Sequence, residues 1–208
     1  MKILFQGDSI TDADRNREDC HEMGQGYPKY AAELIREDHP DIDFEFINLG
    51  ISGDQTKDLV ARWRTDCVDL QPDIVSILIG VNDTWHNAET KTWVTSEVFE
   101  GNYRFLLEFI KERTNAKIVM LEQFLLPVPD KMFFHPDIDE KIRITRKLAR
   151  EYADAYVPLD GLFAAACVEK DMYHWSDDGV HPNENGSRFI GSLLAEAEFG
   201  IIEKIAKK

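Results

Sequence analysis

Residues able to perform acyl transfer stand in two widely separated segments of the chain. Ser9 follows a short apolar run, residues 3–5, within the tripeptide GDS, and the stretch SDDGVHP places Asp178 three residues before His181. A serine hydroxyl is a weak nucleophile until a base takes its proton, and an imidazole, with a pKa of about 6.5, is the natural base at neutral pH. Asp178 could orient that imidazole and stabilise its protonated form, with Asp177 as the alternative acid. Ser9, His181 and one of the two acids form a candidate triad.

Acyl transfer also needs hydrogen-bond donors for the oxyanion that forms when a carbonyl is attacked. The candidates are the backbone N–H of Ser9, the backbone N–H of Gly53 in NLGISGDQT and the carboxamide of Asn82 in GVND. Each is ordinary by itself, because serine, glycine and asparagine all favour turns and helix caps. They would form an oxyanion hole only if the fold brought them to one place.

The fold is predicted from the alternation of apolar strands with amphipathic helices. Strand-like runs, β-branched and apolar on both faces, occupy residues 3–5, 44–49, 74–79, 117–122 and 155–159. Helical periodicity occupies residues 27–38, 56–70, 102–113, 141–154 and 183–205. Buried strands that alternate with helices are typical of an open parallel sheet covered on both faces. We expect one doubly wound α/β domain over residues 1–208, since no linker or repeat divides the chain.

Such a sheet would bring the candidate residues together. In open α/β sheets, ligands bind beyond the carboxyl ends of the strands, near the point where the strand order reverses. Ser9 follows the first predicted strand, Gly53 the second and Asn82 the third. Asp178 and His181 precede the last predicted helix. We therefore expect a hydroxyl, a backbone amide, a carboxamide and an Asp/His pair at one edge of the sheet.

The same four segments resemble the sequence blocks of the GDSL, or SGNH, hydrolases. The blocks are GDSIT at residues 7–11, the glycine of GISGDQT, GVND at residues 80–83 and DGVHP at residues 178–182. They stand in the family's order along nearly the whole chain. The resemblance implies a flavodoxin-like three-layer α/β/α sandwich with a five-stranded parallel sheet, the SGNH hydrolase fold.

The resemblance also implies a role for each candidate residue. Ser9 would be the nucleophile, His181 the base and Asp178 the acid that orients it. Gly53 and Asn82 would join the Ser9 amide in the oxyanion hole. The family hydrolyses esters without a metal ion, so neither a metal nor a cofactor is expected. Within the family, NLGISGDQTKDLVARW and IVSILIGVNDTW are most similar to intracellular bacterial acetylxylan and carbohydrate esterases.

Composition limits the partners and the location of the protein. The 208 residues include 39 Asp and Glu against 24 Lys and Arg, a formal net charge of −15, which disfavours binding to nucleic acid. No stretch approaches the roughly 20 apolar residues that span a bilayer, so no membrane partner is expected. The first residues do not match a signal peptide, and three cysteines without metal spacing suit a reducing compartment. We expect a cytoplasmic protein whose oligomeric state stays open, a homo-oligomer included.

The predicted substrate rim lies in two segments rich in chain breakers, residues 84–93 and 127–136, each after a strand end. Its candidates are Trp85, Trp93, Phe133 and His135, a mixture of flat rings and hydrogen-bonding groups that suits a sugar. We therefore predict a serine esterase that deacetylates acetylated xylo-oligosaccharides or other small sugars. One alternative is a lysophospholipase or thioesterase for longer acyl chains. Another is a flavodoxin-like binding module, although the G-x-G-x-x-G loop expected of such a module is missing after the first strand.

Overall fold

Five parallel β-strands form the sheet at the centre of the molecule. The computed structural model describes residues 1–207. The strands are β1 Lys2–Gly7, β2 Glu45–Asn48, β3 Ile74–Leu78, β4 Lys117–Leu121 and β5 Ala155–Val157. They lie in the order β2-β1-β3-β4-β5, and every neighbouring pair is parallel. The predicted five-stranded parallel sheet is confirmed, with strand ends that differ by one or two residues.

Helices connect the strands and cover both faces of the sheet. In chain order they are α1 Ser9–Asp12, α2 Tyr27–Asp38, α3 Thr56–Trp63, α4 Val81–Trp85, α5 Ser96–Arg113, α6 His135–Tyr152, α7 Leu159–Glu169 and α8 Glu184–Ala206. The predicted helix at residues 56–70 is α3 followed by one wider π turn, Arg64–Val68. Among the residues described, no helix is both long enough and apolar enough to cross a membrane.

The segment after β5 differs from the sequence-based expectation. The fifth strand was expected to reach residue 159, whereas β5 ends at Val157 and α7 begins at Leu159. Pro158 accounts for the end of the strand because its nitrogen carries no hydrogen for the ladder. The following run, LDGLFAAACVE, contains three consecutive alanines, which favour a helix. Its apolar residues are not confined to one face, so helical periodicity does not reveal α7.

The strands bury side chains on both faces, alternating residue by residue. In β1, Ile3 and Phe5 belong to an apolar cluster with α2, α7 and α8, while Leu4 belongs to a second cluster with α3 and α5. Tyr27 of α2 and Trp63 of α3 are fully buried, one in each cluster. This arrangement is the predicted three-layer α/β/α sandwich.

The strand order reverses beside β1, where three of the predicted site residues collect. Because β1 lies between β2 and β3, the chain crosses to one side of β1 and then returns to its other side. The loops at the carboxyl ends of these three strands carry Ser9, Gly53 and Asn82. Open α/β sheets bind ligands at such a position.

Candidate active site

Ser9 lies just beyond the carboxyl end of β1, in the first turn of α1. Asp8 caps this short helix, since its Oδ1 accepts a hydrogen bond of 3.0 Å from the Ile10 amide. A Cβ at Gly7 would clash with the carbonyl oxygen of Leu78 on β3, so the turn before the serine requires glycine. The Ser9 amide belongs to the first-turn N–H groups that have no partner within their own helix.

His181 connects Ser9 with Asp178 through two hydrogen bonds. The Ser9 Oγ lies 2.9 Å from His181 Nε2, and His181 Nδ1 lies 2.8 Å from Asp178 Oδ2. With Nδ1 donating to the carboxylate, Nε2 is the nitrogen that can accept the serine proton. Of the two acids left open by the sequence, the structure brings Asp178 to the imidazole. The arrangement is that of a nucleophile, a base and an orienting acid.

A tight turn holds Asp178 and His181 in this arrangement. Asp178 Oδ1 accepts hydrogen bonds from the backbone amides of Val180 at 2.9 Å and His181 at 2.7 Å. Gly179 has a φ of 85°, in the left-handed region, and a Cβ there would lie 2.9 Å from Val128 Cγ2. The Ser176 hydroxyl closes the turn by donating to the His181 carbonyl oxygen at 2.7 Å. The Asp-x-x-His spacing thus serves the geometry of the turn as well as the pairing of the side chains.

Asp178 and His181 each stabilise the charged form of the other. The Asp178 carboxylate raises the pKa of His181 above its ordinary value, although burial opposes this shift. Burial would also raise the pKa of Asp178, but hydrogen bonds from the His181 ring and from the amides of His181 and Val180 outweigh it and hold that pKa below its usual range. His181 is therefore a stronger base than a free imidazole, beside an acid that stays ionised.

Asp8, next to the nucleophile, has a different electrostatic environment. The side chain is buried, and burial raises its pKa to about 7, with partial opposition from the Ile10 amide and from His181. Its Oδ2 atom has no hydrogen-bond partner among the described residues. Near neutral pH this carboxyl binds a proton readily, so it places less than a full negative charge beside Ser9.

The two other candidate oxyanion donors lie on neighbouring loops. Gly53 has a φ of 91°, which favours glycine, and no atom lies within 4 Å of the position of a Cβ there. Asn82, in α4, is only 6% exposed, and its Nδ2 donates one hydrogen bond of 3.1 Å to the carbonyl oxygen of Asp54. An amide nitrogen carries two hydrogens, so Asn82 retains one for an oxyanion.

Sequence reasoning did not single out the residues that surround Asn82. Gln55 Nε2 donates to the Asn82 carbonyl oxygen at 3.0 Å, and the Asp83 carboxylate binds Thr56. The GVND segment contains Asp83, but no sequence pattern indicates that its carboxylate faces the β2–α3 loop. Contacts between loops 27 residues apart become visible only in three dimensions.

Two cavities lie in the region of the triad. The first, of about 690 Å³, has Ser9 and His181 in its wall and is lined mainly by hydrogen-bonding groups, including Asp14, Lys29, Tyr30 and Arg188. The second, of about 540 Å³, contains no triad residue and combines the rings of Trp85, Phe133 and Phe134 with polar and charged groups such as Glu89, Asp130 and Lys131. The first cavity lies against α2 and the start of α8, a position that the sequence did not predict for substrate.

The four predicted rim residues do not share one location. The Trp85 ring lies 5.4 Å from the His181 ring, between centroids, and Trp85 and Phe133 both line the second cavity. Trp93 is half-buried before α5, and His135 begins α6 with Nδ1 at 2.8 Å from Asp139 Oδ1. Neither Trp93 nor His135 lines either cavity. A substrate role therefore stays a prediction for all four residues, and only the positions of Trp85 and Phe133 in the second cavity support it.

The acidic stretch after Ser9 is tied to the neighbouring loop. Asp12 is buried, and its Oδ2 accepts hydrogen bonds from the amide and the hydroxyl of Ser52 at 2.9 and 2.8 Å, as well as from Arg17. Within residues 1–207, no group of three or more His, Cys, Asp or Glu side chains has the geometry to hold a metal ion. The carboxylate thus has a structural role in connecting α1 to the loop that carries Gly53.

Comparison with known proteins identifies the family. Residues 5–189 match the GDSL-like lipase/acylhydrolase family. The chain belongs to this family. The GDSL-like chain is 30% identical over 210 residues to an acetylxylan esterase from Geobacillus stearothermophilus, covering 95% of this chain and 94% of that protein. It is 25% identical over 195 residues to an arylesterase from Vibrio mimicus, covering 94% and 86% of the two chains.

Solved structures show the same fold. A protein described as a GDSL-like lipase from Parabacteroides merdae superimposes with a TM-score of 0.89 at 37% identity, covering 94% of each chain. A catalytic mutant of the Geobacillus stearothermophilus acetylxylan esterase superimposes with a TM-score of 0.86 at 27% identity, covering 94% of this chain and 93% of that chain. Another variant of that enzyme is described as an acetyl-xylooligosaccharide esterase.

Membership in this family decides between the classes of function raised by the sequence. The GDSL-like chain is a carboxylic ester hydrolase, and the alternative of a non-enzymatic flavodoxin-like binding module is rejected. A small ester is accordingly its substrate class.

Proposed function

We propose that the protein is a serine esterase that removes acetyl groups from small acetylated carbohydrates, such as acetylated xylo-oligosaccharides, through an acyl-enzyme on Ser9. The observation that carries this proposal is the unbroken line of hydrogen bonds from Ser9 Oγ through His181 to Asp178, in the wall of an open polar cavity. Ester hydrolysis follows from the family, whereas the roles of the residues and the identity of the ester are the proposal.

In the acylation step, His181 Nε2 takes the hydroxyl proton while Ser9 Oγ forms a bond to the ester carbonyl carbon. Asp178 stabilises the imidazolium that results. The carbonyl oxygen becomes an oxyanion that accepts hydrogen bonds from the Ser9 amide, the Gly53 amide and the Asn82 carboxamide. The bond to the sugar oxygen then breaks, His181 returns its proton to that oxygen, and acetyl-Ser9 remains.

Deacylation repeats these steps with water as the nucleophile. His181 takes a proton from the water as its oxygen bonds to the acetyl carbon, and the same donors hold the second oxyanion. The bond to Ser9 Oγ breaks, His181 returns the proton to Oγ, and acetic acid leaves and loses its remaining proton to water. The enzyme ends in its starting protonation state, so no external proton donor is required.

The lining of the first cavity favours a sugar as the alcohol. Asp14 offers acceptors and Lys29 offers donors in the cavity that Ser9 and His181 share. The Tyr30 ring in the same wall is covered by Arg188, whose guanidinium carbon lies 4.5 Å from the ring centroid. The Lys29 ammonium lies 5.7 Å from that centroid and makes no ion pair within residues 1–207, so it can bind a hydroxyl group without breaking a salt bridge. A volume of about 690 Å³ lies within the usual range for small-molecule sites.

A hydrolase for longer acyl chains is the second candidate, and the second cavity favours it. Phe133 is 41% exposed and lines this cavity together with Trp85, whose ring lies 5.4 Å from the His181 ring, so part of the cavity wall near His181 is apolar. A lysophospholipase or thioesterase could place an alkyl chain there. The dependence of the rate on acyl length separates this candidate from an acetyl esterase.

The cytoplasmic location expected from the sequence also belongs to the proposal. Cys20, Cys67 and Cys167 are all free thiols, which suits a reducing compartment. In the cytoplasm the enzyme would meet small acetylated sugars instead of polymeric xylan. Cell fractionation tests the location, and sedimentation analysis measures the oligomeric state.

A substrate panel tests the proposed ester. We expect kcat/KM to fall as the acyl group of p-nitrophenyl esters lengthens from two carbons to eight, because each methylene without a pocket forfeits burial worth about 0.8 kcal/mol. Acetylated xylose or xylobiose should release acetate. A rate that rises with chain length, or no acetate from any acetylated sugar, would transfer the assignment to a lipid or thioester hydrolase.

A matched pair of lysine variants tests the use of the first cavity. Lys29→Met should raise KM for acetylated xylobiose about 3- to 10-fold and leave p-nitrophenyl acetate unaffected, because only the sugar reaches Lys29. Lys204→Met changes an exposed lysine far along α8 and should alter neither substrate. Equal effects of Lys29→Met on both esters would contradict binding of the sugar in this cavity.

A further inference from the structure

Asp83 is a buried carboxylate that the proposed reaction does not use. It directly follows Asn82 in α4 and is 1% exposed. Its Oδ2 accepts the backbone amide of Thr56 at 3.0 Å, and its Oδ1 accepts the Thr56 hydroxyl at 2.6 Å. Both oxygens therefore bind the N-terminus of α3. A buried carboxylate with two donors from one residue forms a rigid clamp.

This clamp connects the two loops that carry the candidate oxyanion donors. Thr56 begins α3, three residues after Gly53, while Asp83 adjoins Asn82. Two further hydrogen bonds cross the same boundary. Gln55 Nε2 donates to the Asn82 carbonyl oxygen at 3.0 Å, and Asn82 Nδ2 donates to the carbonyl oxygen of Asp54 at 3.1 Å.

We propose that Asp83 is a positioning residue that fixes the distance between the Gly53 amide and the Asn82 carboxamide by clamping Thr56. This inference rests on the proposed oxyanion hole. An oxyanion hole works only when its donors converge on one oxygen at about 2.7–3.1 Å, and these two donors lie in segments that follow different strands, β2 and β3. A misplacement of about 1 Å can cost about 100-fold in rate. The clamp removes the freedom of one loop to shift against the other.

The chemistry of the clamp specifies a carboxylate. A carboxylate at residue 83 accepts from both the amide and the hydroxyl of Thr56. An asparagine would accept from one and donate to the hydroxyl oxygen, which already accepts a hydrogen bond of 3.2 Å from Asn102 Nδ2. Burial raises the pKa of Asp83, while the hydrogen bonds from Thr56 and the nearby Lys141 ammonium oppose that shift. The hydrogen bonds that hold the loop favour the charged form, although burial outweighs them and leaves the pKa of Asp83 above its ordinary value.

Steady-state kinetics of four single variants test the proposal with p-nitrophenyl acetate. Asn82→Ala sets the scale, with an expected loss in kcat of about 10²- to 10³-fold. Asp83→Ala should lower kcat about 10- to 100-fold with KM within about twofold of the wild type. Thr56→Val should lower kcat less than Asp83→Ala does. Thr56→Ser, which keeps the hydroxyl, should have a kcat close to that of the wild type. Normal kcat in Asp83→Ala would overturn the proposal.

A double variant separates positioning from general damage. If Asp83 acts through the oxyanion hole, Asp83→Ala should cost at least about fivefold less in an Asn82→Ala background than in the wild type. A loss in kcat of the double variant equal to the product of the two single-variant losses would overturn the proposal. If Asp83→Ala fails to fold, Thr56→Val in the same two backgrounds supplies the test, since valine keeps the shape of threonine and loses one hydrogen bond to Asp83.

Glu122 provides a matched control. It is also a fully buried carboxylate just after a strand, and it accepts hydrogen bonds from Arg146 Nε at 2.7 Å and from the Asp160 amide at 3.2 Å. Glu122→Gln should lower the melting temperature without lowering kcat, because Glu122 touches neither donor loop. A normal kcat in Asn82→Ala would refute the proposed oxyanion hole itself, whereas a slow Asn82→Ala beside a normal Asp83→Ala would refute only the positioning role.

Discussion

Glu198 should make the stability of the protein depend on pH in a way that a single substitution removes. This residue of α8 is fully buried, and neither carboxylate oxygen has a hydrogen-bond partner within residues 1–207. Burial raises its pKa from 4.5 to about 8. The pKa of neighbouring Tyr27 is also raised, mainly by burial, so this tyrosine stays neutral and adds no second negative charge.

The sign and the size of the effect follow from the two pKa values. The folded protein holds the Glu198 proton up to about pH 8, whereas the unfolded chain releases it near pH 4.5, so unfolding becomes easier as the pH rises between these values. Each pH unit in that window lowers the free energy of unfolding by about 1.4 kcal/mol. The penalty is therefore about 3 kcal/mol at pH 7 and below about 1 kcal/mol at pH 5.

Thermal unfolding of Glu198→Gln measures this penalty, because glutamine resembles the protonated acid and does not ionise. The gain in Tm over the wild type should be about 5–10 °C larger at pH 7 than at pH 5, at about 2–4 °C per kcal/mol for a chain of this size. Glu196→Gln, on an exposed position of the same helix, should show no such difference. A gain that is equal at both pH values, or a loss at pH 7, would refute the reasoning.

Further predictions concern the catalytic groups. Because Asp178 raises the pKa of His181, kcat/KM should decline as the pH falls through that raised value, where the imidazole becomes protonated and cannot take the serine proton. Asp178→Asn should shift this acid limb to lower pH and reduce kcat, whereas Asp177→Asn should do neither; the reverse pattern in a pH–rate series would reassign the acid. EDTA should not change the rate, since the proposed steps need no metal ion, and inactivation that added metal reverses would contradict them.

The sheet was predictable because each strand can be recognised from its own short stretch of sequence. The runs at residues 74–79 and 117–122 are largely apolar and rich in β-branched residues, and their order with the helices admits few topologies. The residues that lie close to Ser9 were predictable for a related reason. GDS, GVND and DGVHP lie directly beside elements whose ends the sequence marks, so the fold carries them to one edge of the sheet.

Features that depend on contacts between distant segments were not predictable. The Asp83–Thr56 clamp and the unpartnered Glu198 depend on where side chains point after the layers have packed. The cavity beside Lys29 forms between α2 and α8, which are far apart in sequence. The two segments that contain Trp93 and His135 show the opposite error, since aromatic and polar composition near a strand end does not show which side chains reach the cavities.

Covalent labelling of Ser9 tests the central claim most directly. A serine-directed phosphonate should abolish esterase activity as one equivalent is incorporated, and peptide mass analysis should find the added mass on the peptide that contains Ser9. The Ser9→Ala variant, folded and inactive, should take up none. Labelling of a different serine, or undiminished turnover by Ser9→Ala, would contradict the account.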